Sequence, residues 1–117
     1  MKECDLMIIV RITMIVLPEK QKEVMQTLLS MIEPDGKEKG CLGHDLFCDI
    51  QDKQVFSLIE EWETREDMEN HMQSDRFSAL LGTKSLLAKP SDIRIHTVSQ
   101  SEGMEAVKTA REKGRRQ

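Results

Sequence analysis

The chain has 117 residues, 38% apolar and 32% charged, a composition that fits one folded domain and excludes a fibrous or disordered chain. Its formal net charge is −4, no basic face is evident, and aromatic residues are only 3%, so nucleic acid is not an expected partner. No run of about 18 apolar residues exists, so no membrane contact is expected.

The apolar stretch from Met7 to Leu17 has the character of a signal h-region, but Arg11 interrupts it and no small-residue cleavage site follows. Cys4, Cys41 and Cys48 are odd in number and lack a Cys-x-x-Cys spacing. They read as reduced thiols of a cytoplasmic protein, not as a disulfide frame or a zinc site. Eight methionines beside so few aromatics imply an aliphatic, adaptable core. Such a core is either ordinary filling or the lining of a pocket for a flat apolar ligand.

Met7 to Leu17 is β-branched and apolar at even positions (Ile8, Val10, Ile12, Met14, Val16) and largely apolar at odd ones (Met7, Ile9, Ile15). A strand with two apolar faces needs cover on both. Pro18 suits the first position of a helix. Val24, Met25, Leu28, Leu29 and Ile32 then mark one helical face to about Glu33, and Pro34-Asp35-Gly36 stops it. After a charged loop, Cys41 to Ile50 is a second strand, with Leu42, His44, Leu46 and Cys48 on one face. Gln51 to Gln54 is a short hairpin connection.

The third strand, Val55 to Glu63, places Phe56, Leu58, Glu60 and Trp62 on one face. Thr64 to Asp67 reads as a capping box, followed by Met68, His71 and Met72 at helical spacing. Ser74 offers a second cap, with Phe77, Leu80 and Leu81 behind it, and helical periodicity runs to about Ala88. Ile93 to Val98 is the fourth strand. Residues 1–99 thus form one domain, and 100–117 an extension that reads equally as a short helix or a frayed tail. The order βαββαβ predicts an α+β, ferredoxin-like fold: a four-stranded antiparallel sheet with its helices on one face. The open apolar face would leave several hundred Å² wet, at roughly 25 cal/mol per Å², so a homodimer through sheet faces is expected.

Lys39-Gly40-Cys41-Leu42-Gly43, Phe56-x-Leu58-x-Glu60-x-Trp62 and His71-x-x-Ser74-x-x-Phe77 together resemble the antibiotic biosynthesis monooxygenase family, over residues 5–99. The resemblance implies a dimeric α+β barrel that oxygenates electron-rich aromatics such as quinols and anthrones. It implies no flavin, haem or metal. The mechanism it implies is loss of a substrate proton, then electron transfer from the anion to O₂, with the protein desolvating and orienting that anion. The pocket would lie between sheet and helices, beneath Trp62. Haem-degrading relatives carry a His shortly after Ser-x-x-Phe, where this chain has Leu81, so haem cleavage is not expected. Quinol-oxidising relatives often place a His where Arg76 stands.

On this reading His71 and Glu60 are the catalytic candidates. His71 has the right acidity for a general base, or it locks the helix break. Glu60 is a carboxylate among apolar groups, or the partner of a cation. Trp62, Phe77, Leu58, Met68 and Leu81 are candidates for the ligand's walls, with Trp62 either stacking on a ring or anchoring the core. Arg11 either holds an anionic substrate or pairs with Glu60 or Glu61. His44 and His96 have no metal-site spacing, and no metal is assigned. A non-catalytic module of the same fold, for small-ligand binding or dimerisation, is the alternative reading.

Overall fold

The strand β1 (Met7–Ile15) occupies the interior of the sheet, as its two apolar faces require. A computed structural model describes residues 6–32 and 38–115. After β1 come a 3₁₀ turn (Pro18–Lys20), α1 (Gln21–Met31), β2 (Cys41–Cys48), β3 (Val55–Trp62), α2 (Arg65–Met72) and α3 (Asp75–Leu81). A second 3₁₀ turn (Gly82–Leu86), β4 (Asp92–Val98) and α4 (Met104–Arg115) complete the order. The strands lie β2-β3-β1-β4, every neighbouring pair antiparallel, which is the ferredoxin-like arrangement. No helix among the described residues is long and apolar enough to cross a membrane.

The register places Ile8, Val10, Ile12 and Met14 of β1 opposite Trp62, Glu60, Leu58 and Phe56 of β3, all buried. The helices close this face with Val24, Leu28 and Met31 of α1, Met68 of α2, and Phe77 and Leu80 of α3. Two features of α1 differ from the sequence expectation. Pro18 opens a separate 3₁₀ turn, and the buried stripe is Val24, Leu28 and Met31, leaving Met25 and Leu29 exposed. This stripe at i, i+4, i+7 is narrower than the one predicted, with Ile32 partly buried against the core beside it. The expected stop at Glu33-Pro34-Asp35-Gly36 lies outside the described residues, as does Cys4.

A register shift between Cys41 and Gly43 places one extra residue on β2. Cys41 and His44 therefore share the helix-covered face with Leu46 and Cys48, while Leu42 turns outward and is 53% exposed. Beyond β3, Thr64 caps α2, its hydroxyl accepting from the Asp67 amide at 3.1 Å and donating to the Asp67 carboxylate at 2.9 Å. Ser74 caps α3, accepting from the Phe77 amide at 3.2 Å. The helical run ends at Leu81, short of Ala88, because the following residues tighten into the 3₁₀ turn before Leu87 bridges to Val16. The extension is a helix, α4, with none of its residues buried.

Candidate active site

The alternation of β3 turns Glu60 inward with Leu58 and Trp62, and the carboxylate is wholly buried. A buried charge needs donors. Trp62 supplies one, its indole Nε1–H donating to Glu60 Oε1 at 3.0 Å. His71 of α2 supplies another, its Nε2 lying 3.2 Å from Glu60 Oε2. The other His71 nitrogen, Nδ1, is 2.8 Å from Oε1 of Glu38, in the loop before β2. Arg76 of α3 approaches the same Glu38 oxygen at 3.6 Å. His44 of β2 completes the group, its Nε2 standing 3.4 Å from Glu60 Oε2 without hydrogen-bond geometry.

The rings pack as closely as the polar atoms. His71 lies against the Trp62 indole with centroids 4.7 Å apart and planes tilted by 33°. The Phe77 ring meets His71 edge-on at 5.5 Å, and His44 meets it edge-on at 5.8 Å. The backbone of His71 is fixed by Ser74, whose hydroxyl donates to the His71 carbonyl at 2.6 Å. The helix break thus holds the histidine in place, through Ser74 and not through the imidazole.

With a carboxylate at each nitrogen, His71 is placed to donate from both, which favours its imidazolium form. Burial acts against that charge, but the hydrogen bond and field of Glu60, with those of Glu38, override it and raise its pKa above the ordinary 6.5. Burial likewise acts against ionised Glu60. The hydrogen bonds from His71 and Trp62 outweigh it, so its pKa falls below 4.5. His44 moves the other way: burial lowers its pKa, and the attraction of Glu60 recovers only part of the loss. An ion pair and a neutral imidazole therefore sit side by side. An imidazolium clamped in this way has no lone pair with which to act as a base.

Trp62, His71, Glu60 and Phe77 are brought together, with Leu58 and Met68 buried around them. Trp62, Leu58, Met68 and His71 are each no more than 1% exposed. Two sequence candidates lie apart. Arg11 is on the opposite sheet face from Glu60, its strand neighbours being Ile59 and Arg94. Leu81 is 50% exposed and lines a separate cleft of about 360 Å³ with Leu80, Thr83 and Leu87. His44 and His96 cannot approach one another, because β2 and β4 are the two edges of the sheet. The sequence reading missed Glu38, and gave His44 only a face. A mixed-charge loop carries no periodic signal for the first, and the second stands opposite Glu60 through the β2–β3 hairpin register, which an assignment of faces alone does not give. A larger cleft, about 780 Å³, opens between the start of α1 and the β2–β3 turn, lined by Met25, Cys48, Ile50 and Phe56 among others.

The chain is similar to several known proteins. It is 28% identical over 86 residues to sll1783 of Synechocystis, an uncharacterized protein, covering 73% of this chain and 58% of that one. It thus spans little more than half the length of that relative. YcnE of Bacillus subtilis is 27% identical over 88 residues, 74% of this chain and 93% of that protein. A conserved protein of Methanosarcina mazei Go1 has a crystal structure that superposes with a TM-score of 0.73 at 28% identity, over 81% of this chain and 95% of that one. The profile of the family described as antibiotic biosynthesis monooxygenase matches residues 7–81, which contain Glu38, His44, Glu60, Trp62, His71 and Phe77. On that match, the chain belongs to the antibiotic biosynthesis monooxygenase family.

Proposed function

We propose that this protein is a cofactor-independent monooxygenase acting on a small aromatic, quinol-like or anthrone-like substrate with O₂. The observation that carries the reading is the buried Glu60–His71–Glu38 charge array, set against Trp62 and Phe77 within the family match. A preorganised imidazolium in a dry setting stabilises a neighbouring anion without reorganising. The substrate would lose a proton to become an electron-rich anion, which passes an electron to O₂. For a CH₂ carbon the balance is one oxygen atom into a new carbonyl and the other into water with the two hydrogens. Glu60 and His71 would set the field, and Trp62, Phe77, Leu58 and Met68 would form the rigid floor. The mouth would lie where the cluster reaches solvent: His44 with 11% of its side chain exposed, Glu38 with 27% and Arg76 with 35%. Neither Leu81 nor Arg11 takes part in this arrangement.

The test is O₂ uptake by metal-stripped protein with a panel of naphthoquinols and anthrones. Consumption above the uncatalysed blank, reduced in Trp62→Phe, supports the reading. A panel consumed no faster than the blank ends it.

A second reading, a non-catalytic ligand-binding module, draws on the apolar cleft beside Met25, Ile50 and Phe56. The same quinols under nitrogen would then raise the melting temperature, and Met25→Asp would abolish the shift. We also place a homodimer contact on the open sheet face and the protein in the cytoplasm, where Cys41 and Cys48, both thiols here, stay reduced.

A further inference from the structure

We propose that His44 is the catalytic base of this site, taking the substrate's proton on Nδ1 while Glu60 holds the Nε2–H tautomer. The inference rests on the oxygenase reading above and assigns its proton acceptor. Both nitrogens of His71 are engaged by carboxylates, so the acceptor must lie elsewhere. Among the described residues, His44 Nε2 is the buried side-chain nitrogen or oxygen that lacks a hydrogen-bond partner. It points at Glu60 Oε2 from 3.4 Å, a separation that one small strand adjustment closes to a hydrogen bond. An ionised carboxylate accepts only, so the proton of a neutral His44 belongs on Nε2. The lone pair is then on Nδ1, which makes no hydrogen bond among the described residues and is not among their buried unpartnered atoms. That nitrogen therefore meets the solvent side. A carboxylate behind an imidazole, fixing its tautomer and stabilising its charged form, is an arrangement known to produce an effective base.

The groups facing His44 are Glu60 from β3, His71 from α2, Glu38 from the loop before β2, and Asp45 from its own strand. Three carboxylates favour the imidazolium that forms on proton uptake, while burial and the His71 charge keep it from forming beforehand. In the step itself, the substrate's acidic O–H or C–H bond breaks and the Nδ1–H bond forms. The electron pair left on the substrate supplies the electron that O₂ takes, and the proton leaves His44 with the reduced oxygen. The substrate class is a flat phenol, quinol or anthrone whose acidic hydrogen can reach the edge of β2.

Two measurements test this. Nitrogen-15 NMR of the imidazoles should show neutral His44 as the Nε2–H tautomer, titrating below 6.5, while His71 titrates above it. An Nδ1–H tautomer, or a His44 that stays protonated after His71 has lost its charge, overturns the assignment. In O₂ uptake with dithranol, His44→Ala should lower kcat/KM by about 10²-fold or more. Added imidazole should restore part of the loss, with an acid limb that follows imidazole's own titration. His44→Gln, which keeps a donor toward Glu60, should be as slow as His44→Ala. Turnover in wild type that survives both substitutions overturns the role of His44 alone. Wild type with no turnover on any probe overturns the oxygenase reading, and the base assignment with it.

Discussion

Glu60 is shared by two imidazoles and an indole, so its removal strands more than one group. Replacing one member of a buried, hydrogen-bonded ion pair typically costs about 3–5 kcal/mol, because the remaining charge has lost its counter-ion and kept its burial. Glu60→Leu should therefore lower the urea midpoint steeply, and Glu60→Leu with His71→Leu should recover part of the loss. A double variant as unstable as the sum of the singles would refute the coupling. The same pair dictates a pH dependence. Glu60 titrates below its ordinary 4.5 in the fold, so its contribution is complete above 4.5 and is lost as pH falls through the folded value. His71 titrates above 6.5, so its contribution is complete below 6.5 and is lost as pH rises through the folded value. His44 is lowered, so its contribution is present above 6.5 and lost as pH falls through its folded value. Melting curves across pH should show an alkaline decline above 6.5 in wild type that is absent from His71→Gln. Parallel curves for the two proteins above pH 6.5 would contradict the clamp.

Between the elements, Gly40 sets how closely the loop before β2 approaches α2. Its φ of +80° lies in the left-handed region, and a Cβ there would overlap the Asp67 carboxylate. The loop has little room to withdraw, since the Gly40 carbonyl accepts from the Glu63 amide at 2.7 Å. Gly40→Ala should cost well over about 1 kcal/mol, the conformational and steric penalties adding. Introducing Asp67→Gly removes the overlap, so the alanine's cost in that background should fall to the conformational part. An unchanged cost, read by urea denaturation, would show that the contact with Asp67 is not tight. The elements were legible in proportion to how much of their pattern is local. Phe56 to Trp62 alternates because one face is buried, and Thr64 and Ser74 announce their helices through caps that span three residues. Glu38 was not legible, because its partner His71 is 33 residues away. The faces of Cys41 and Leu42 depended on a bulge, and the end of α3 was blurred because a 3₁₀ turn keeps a near-helical spacing.

At the scale of the whole molecule, two surfaces have no cover from the described residues of their own chain. One is α4, which has an acidic residue in its first turn and Lys113 and Arg115 in its last, an order the helix dipole favours. With no α4 residue buried, removing residues 103–117 should change stability by no more than about 0.5 kcal/mol. A large fall in melting temperature would mean that α4 packs on something. The other surface is the open sheet face. Met7, Ile9, Ile15 and Ile59 stand on it half-buried, Phe47 is 50% exposed, and Arg11 faces Arg94 directly across the β1–β4 pair. Like charges opposed across strands repel unless anions approach them, and Asp92 of β4 already meets Arg94 at 3.2 Å. Glu61 and Asp45 lie on the same face, toward the β2 edge of the sheet. A two-fold contact would set the arginine side of one copy against the acidic side of the other and would remove the apolar residues between them from water. Ile9 sits in that band, between Glu61 and His96 in register. Ile9→Asp would bury an unpaired carboxylate there if the copies stayed together, a cost large enough to separate them. Light scattering after size exclusion at micromolar concentration should give a dimer mass for wild type and a monomer mass for Ile9→Asp, with the circular dichroism unchanged. A wild-type monomer, or an aspartate variant that remains dimeric, would remove the open face from the interface.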